Sequence, residues 1–372
     1  MKITFDREQF QQAFHTAAAV APSRSPKPIL QNVKLDATES GAILMATDME
    51  VGVRIEVSGV EVEAPGSIVL PVQRFGSILR EVSDEKLRIT REEGGTIVQG
   101  ERSKFTLSTE NPEEFPAVHS FSESKYHELS ARTLKELIRR TLFAADSESG
   151  RYALGGILLE MEAEQVTAVA TDGRRLSKMS GPAVAIEGHG SVSEVMTIVP
   201  ARAMQLIEKA LTNLEETVQI AARSNDVLVK LGPATIYARL VEGRFPKWRD
   251  VLPEKRDAKA IELTVSPAFA ALRQAAIVAS DESRGIDFTF GGGSAVLSST
   301  TAEIGQSHIE FPIAYDGDPV EITMDHRYVA DFYKVLDSER QFVLNLQDAD
   351  SAALFSTDDN YDYVVMPLAR DR

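Results

Sequence analysis

Two stretches of this chain align with each other without a gap. Residues 29–53 read ILQNVKLDATESGAILMATDMEVGV, and residues 153–177 read ALGGILLEMEAEQVTAVATDGRRLS. Leu30 meets Leu154, Leu35 meets Leu159, and Ala46-Thr47-Asp48 meets Ala170-Thr171-Asp172, always 124 positions apart. A fixed internal period constrains the fold more than any single motif, because each copy must form the same supersecondary unit. A fainter third copy starts at Gly285-Ile286-Asp287-Phe288, which resembles Gly156-Ile157-Leu158-Leu159 at an offset of 129. The copies also end alike, at Phe115-Pro116, Phe245-Pro246 and Met366-Pro367. Three units of about 120 residues, an ordinary domain size, fill the 372 positions. The expected domains are 1–122, 126–252 and 258–372, with polar linkers near Ser120–Lys125 and Leu252–Lys259.

Helical periodicity supports the same division. Phe10, Ala13, Phe14 and Ala17 follow the i, i+3, i+4, i+7 rule. Leu134, Leu137, Ile138 and Leu142 repeat it, as do Phe269, Leu272, Ala276 and Ala279. Each unit carries a second candidate helix, from Val72 to Val82, Ala201 to Leu211 and Asp325 to Leu336. Pro71 and Pro200 suit a helix start, where a missing N–H costs nothing, and Asp325 suits an N-cap. Between the helices, runs such as Lys104–Ser108 and Asp226–Lys230 alternate as strands do, and Gly291-Gly292-Gly293 reads as a hairpin turn. The fold class is therefore α+β, with three similar domains per chain.

Composition narrows the function. A 43% hydrophobic and 26% charged chain is not a disordered one. No apolar run approaches the roughly 20 residues of a membrane helix, and Met1-Lys2-Ile3-Thr4-Phe5 reads as a strand rather than a signal peptide. With no Cys, disulfides, thiolate metal sites and thiol nucleophiles are all excluded, and a cytoplasmic location is expected. Phosphate-binding loops, zinc His pairs and the G-x-S-x-G elbow are also missing. His308-Ile309-Glu310 is better read as strand alternation, His15 and His326 as helix-surface residues, and Thr357-Asp358-Asp359-Asn360 as a solvated turn. These readings favour a binding role without catalysis, cofactor or metal. Two alternatives stay open: a triplicated enzyme with an inter-domain site, and a monomeric peptide-binding scaffold.

The net charge is −16, yet the candidate helices are rich in cations. They hold Arg74, Arg80, Arg132, Lys135, Arg139, Arg140, Arg202, Lys209, Arg273, Arg327 and Lys334, while acid gathers in turns such as Glu110–Glu114 and Asp348–Asp350. Such segregation would attract a polyanion to one face while the rest of the molecule repels it.

Several motifs resemble the bacterial DNA polymerase sliding-clamp family, the β subunit of the replicative polymerase holoenzyme. They are Arg151-Tyr152, Thr171-Asp172-Gly173-Arg174-Arg175-Leu176, Gly243-Arg244-Phe245-Pro246 and Tyr363-Val364-Val365-Met366-Pro367-Leu368. The resemblance covers the whole chain. It implies a closed ring, a head-to-tail homodimer with helices lining the inside and sheets outside, that encircles double-stranded DNA without reading sequence. It further implies a processivity factor, not an enzyme, that tethers the replicative polymerase, the clamp loader and repair factors through short peptides. Twelve helices, each roughly 10 Å across, would enclose a hole on the order of 30 Å.

The residues the resemblance points to fall into three sets. For DNA they are Arg24, Arg74, Arg80, Arg151 and Tyr152. For the peptide cleft they are Leu154, Thr171, Gly173, Arg175, Leu176, Pro246, Val251, Val364, Met366, Pro367 and Leu368, an apolar pocket with Arg175 as a charged rim. For the dimer seam they are Phe105, Ile277 and Val278. Asp250, Ala153 and the Ala369–Arg372 end depart from the family pattern.

Overall fold

The computed structural model describes residues 1–108, 110–146, 152–190, 196–254, 258–280, 284–301 and 304–369. The chain forms two compact units, one of Met1–Leu134 with Ala183–Leu240 and one of Lys135–Pro182 with Val241–Arg372.

In the first unit, one antiparallel sheet runs in the order Val60–Ala64, Lys2–Asp6, Lys86–Glu92, Gly95–Gln99, Lys104–Leu107. A longer sheet runs Val184–Ile186, Tyr126–Ser130, Thr217–Ala222, Asp226–Leu231, Ala234–Arg239, Val51–Val57, Gly41–Thr47, Asn32–Thr38, Gly66–Pro71. Helices α1 (Arg7–Ala18) and α2 (Val72–Glu81) pack through Phe10 and Phe14 against Phe75, with ring centroids 5.9 and 4.9 Å apart. The Asp6 side chain accepts from Gln9 N at 2.9 Å and so starts α1. Helix α3 spans Ala131–Thr141, and α4 (Ala201–Ala210) follows Pro200 as α2 follows Pro71.

In the second unit, strands run in the order Gly156–Met161, Gln165–Thr171, Arg175–Pro182, Tyr361–Val365, Ala353–Ser356, Gln341–Leu346, Lys259–Thr264. A second sheet has the order Gly305–Pro312, Ser294–Thr301, Gly285–Gly291, Val320–Asp325. Helices α5 (Val265–Ala275) and α6 (His326–Lys334) belong here. Asp325 caps α6, accepting from Arg327 N at 2.9 Å, as the sequence predicts. Phe332 is fully buried among Phe342, Phe355, Tyr361 and Tyr363.

The repeat is reproduced in hydrogen-bond register. Leu35 faces Leu44 and Ala46 faces Val53 in the first unit; Leu159 faces Ala168 and Ala170 faces Ser177 in the second, each 124 positions on. Phe288 faces Leu297, the same pair displaced by a further 129. The first hairpin of the faint third copy therefore keeps the register, and its second hairpin is one residue out, with Ser299 facing Ser307 rather than Gln306. The glycine hairpin also forms: Gly292 and Gly293 both have positive φ, +58° and +78°, the pair of left-handed residues a two-residue turn requires.

Two expectations change. The buried face of α5 is Val265, Ala268, Ala271, Leu272 and Ala275, shifted from the predicted Phe269, Leu272, Ala276 and Ala279. The helix ends at Ala275, so Ala276 and Ala279 leave its phase, and Phe269 is half-buried against Tyr333 and Arg273. The Thr357–Asn360 turn is only partly solvated. Asp358 is exposed, but Asp359 pairs with Arg140 at 2.7 Å and Arg340 at 3.1 Å.

A buried His pair ties an edge of the long sheet in the first unit. His127 Nδ1 and His189 Nδ1 lie 2.7 Å apart, and Ala222 N donates to His189 Nε2 at 3.0 Å. Ala222 O lies 3.2 Å from the same nitrogen, so either neutral tautomer of His189 finds a partner at Ala222. Burial lowers the His189 pKa; the Ala222 carbonyl and Glu123 act against that, and His127 reinforces it. A depressed imidazole pKa gives stability that is present above the unfolded value of 6.5 and is lost as pH falls below it. We predict that the melting temperature falls between about pH 8 and about pH 5.5, and falls less in His189→Gln. Calorimetry at the two pH values checks this; equal slopes refute it.

Candidate functional site

Every residue of the expected cleft lies in the second unit. The site starts from a tight turn, Thr171–Arg175, between two strands. Thr171 Oγ1 donates to Arg175 O and accepts from Gly173 N at 3.0 Å. Asp172 Oδ1 accepts from Arg174 N at 2.9 Å and Arg175 N at 3.0 Å. Gly173 has φ +88°, a conformation glycine adopts without a side-chain clash. The first unit builds the same turn from Thr47, Asp48 and Val51, with matching bonds. There Met49 occupies the strained position at φ +82°.

The strand leaving the turn pairs with the end of the chain. Arg175 faces Val365 and Leu176 faces Val364. Met366 N then donates to Arg174 O at 2.9 Å, and Leu368 N to Thr323 O at 2.9 Å. These bonds bring the first and third predicted segments together. The Pro246–Val251 segment is pinned separately: Trp248 Nε1 donates to Glu160 at 3.0 Å, and Arg249 grips the same carboxylate with two bonds of 2.9 and 2.6 Å. Gly243, at φ +128°, lets the chain approach Ala153, where an added Cβ would stand 3.1 Å from the alanine Cβ.

Exposure divides the predicted residues. Met366 is 44% exposed and Val251 43%, and Pro246 and Gly173 are also open. Leu154, Thr171, Leu176 and Val364 are buried; Pro367 and Leu368 are half-buried. Large apolar side chains left in water are an ingredient of a peptide anchor site.

Arg175 departs from the expected open rim, because its side chain is only 11% exposed. Nε reaches Asp172 at 3.0 Å, Nη1 Asp331 at 2.7 Å and Nη2 the Phe143 carbonyl at 2.7 Å. Its plane also lies 4.5 Å from the Tyr328 ring centroid and 5.4 Å from that of Phe143. Burial opposes its charge, but Tyr363, Asp331 and Asp172 outweigh that and hold the guanidinium above its ordinary pKa. Burial likewise pushes the Tyr363 phenol well above its usual value, so its hydroxyl remains a donor, to Tyr328 O at 3.0 Å. Phe143, Tyr328 and Asp331 thus join the site. Sequence reasoning missed them; the only signal was that Tyr328 and Asp331 are three apart on one helix.

The other predicted residues are spread over both units. Arg24, Arg74 and Arg80 are exposed in the first unit; Arg24 stands in an irregular segment, Arg74 and Arg80 on α2. Arg151 and the Tyr152 side chain lie outside the described residues. Several helix cations are paired with acid: Arg132 with Glu215, Arg202 with Asp48, Arg327 with Asp325 and Lys334 with Asp331. Phe105 and Val278 are half-buried, while Ile277 is 76% exposed in the 3-10 turn that follows α5. Among the described residues no three His, Asp or Glu side chains gather as a metal site would need.

Comparison with known proteins covers the chain from end to end. Residues 1–119, 128–247 and 249–369 match the family models for the N-terminal, central and C-terminal domains of the DNA polymerase III beta subunit. The beta sliding clamp of Pseudomonas putida is 32% identical, over 99% of this chain and 100% of its own length. Among solved structures, a sliding clamp from Pseudomonas aeruginosa bound to griselimycin matches with a TM-score of 0.92 at 29% identity, covering 100% of both chains. One from Bartonella birtlesii, also bound to griselimycin, matches with a TM-score of 0.90 at 27% identity, again covering 100% of both chains.

Replacing Arg175 by Met would leave Asp172 and Asp331 without their shared cation in a half-buried setting. The expected loss is about 3 kcal/mol of unfolding free energy, with a smaller loss for Arg175→Lys, which keeps the charge but not the fork. Urea denaturation of both variants measures it.

Proposed function

This chain belongs to the DNA polymerase III beta subunit family, and from that premise we propose that it acts as a sliding clamp. Three domains, 1–122, 126–252 and 258–372, form half of a head-to-tail ring. The ring closes around duplex DNA, with the helices inside, and holds the replicative polymerase, clamp loader and repair factors by short peptides. It works by topology and tethering, without catalysis, and its compartment is the cytoplasm. No described helix is long and apolar enough to cross a membrane.

One observation carries the ring. Inside the chain, the outer strand of the first copy, Val51–Val57, is paired by Ala234–Arg239, and that of the second, Arg175–Pro182, by Tyr361–Val365. The matching strand of the third copy, Gly305–Pro312, is the edge of its sheet, and Lys104–Leu107 is the edge of another. Open edges need a partner. The repeat supplies the rule: Gly305–Pro312 of one copy takes Lys104–Leu107 of a second, as in the two internal joints. Phe105 would then meet Ile277 and Val278, which accounts for an isoleucine standing 76% exposed.

Arg24, Arg74, Arg80, Arg151 and Tyr152 would touch the DNA. Contacts of this kind go to phosphates and weaken with salt without selecting sequence. The partner peptide would rest on Leu154, Leu176 and Val364, with Met366, Val251 and Pro246 closing over it. Thr171 and Gly173 shape the turn, Arg175 braces it from beneath, and Pro367 and Leu368 extend the surface.

Two outcomes are expected. Ile277→Asp should halve the mass seen by light scattering and abolish retention on nicked circular DNA; an intact dimer refutes the seam. Met366→Ala with Val251→Ala should weaken griselimycin binding by about 1–4 kcal/mol, measured by isothermal titration, with the dimer mass unchanged. Unaltered affinity places the partner site elsewhere.

A further inference from the structure

We propose that Asp331, on α6, is a positioning residue for the partner cleft, which it holds in shape through Arg175. The proposal rests on the cleft reading above and adds to it a residue that touches no ligand. Arg175 is saturated by its own unit: every guanidinium nitrogen has an acceptor and aromatic rings lie against it. A side chain so occupied has little left to offer a peptide, and its effect must pass through what it holds.

The path is short. Asp331 Oδ2 binds Arg175 Nη1 at 2.7 Å, and Arg175 Nε binds Asp172 Oδ2 at 3.0 Å. The other Asp172 oxygen fixes the turn through Arg174 N and Arg175 N. Arg174 O in turn receives Met366 N, so the exposed Met366 is placed by a turn that Arg175 secures. Two acceptors come from outside the turn and its two flanking strands, the neutral Phe143 carbonyl and the charged Asp331. Its second oxygen is taken by Lys334 at 2.9 Å, so both oxygens work as acceptors. An asparagine fits the same space but offers one acceptor oxygen and no charge.

Griselimycin serves as the probe, and Trp248, the chain's single Trp, as the spectroscopic reporter beside Pro246. Asp331→Asn is expected to weaken griselimycin binding by about three- to thirty-fold, and Asp331→Glu to recover most of the loss. The saturating change in Trp248 fluorescence should stay near that of wild type, because Glu160 still holds that segment. Wild-type affinity in a folded Asp331→Asn protein overturns the positioning role while leaving the cleft reading intact. No binding by the wild-type protein overturns the cleft reading and this proposal with it. If Asp331→Asn does not fold, the Arg175→Met with Asp331→Leu pair, which removes both charges together, carries the test. Weakened binding in that pair supports the proposal, and wild-type binding overturns it.

Discussion

A β-strand edge leaves a row of N–H and C=O groups that must find partners, and this molecule is arranged around that requirement. Each copy of the repeat is an open sheet fragment. In the first copy Val51–Val57 is completed by Ala234–Arg239, and in the second Arg175–Pro182 is completed by Tyr361–Val365. The paired residues lie 179–187 positions apart in the first case and 182–190 in the second, so neither copy finishes its own sheet locally. This makes Tyr361–Val365 part of the structure around residue 175, while Lys104–Leu107 and Gly305–Pro312 remain open edges.

The same constraint makes the candidate site. Because Tyr361–Val365 lies against Arg175–Pro182, the chain emerges beside the Thr171–Arg175 turn with Met366 bound to Arg174. The turn needs a residue with positive φ at its third position. Gly173 meets that without strain, and Met49 in the sister turn does not. Charge is handled locally: Arg140, Arg175 and Arg340 each pair with carboxylates of their own unit, although the buried Arg340 Nε has no acceptor. Much of the helix cation content seen in the sequence is likewise engaged. A raw count of Lys and Arg on helices therefore overstates the charge open to a polyanion.

Legible in the sequence were the repeat, the α+β class and the starts of α2, α4 and α6. Those signals are local: period, caps and turn glycines act within a few residues, as at Asp325 and Gly292–Gly293. Motif resemblance also marked the three segments proposed for the cleft. Which residues face water is set by the folded chain. Leu176 and Met366 look equivalent as apolar letters, yet one is 2% and the other 44% exposed. Arg175 reads as a rim cation until Asp331, 156 positions away, is brought to its guanidinium. Burial and ion pairing depend on atoms from distant segments, and no local pattern encodes which of those segments will meet.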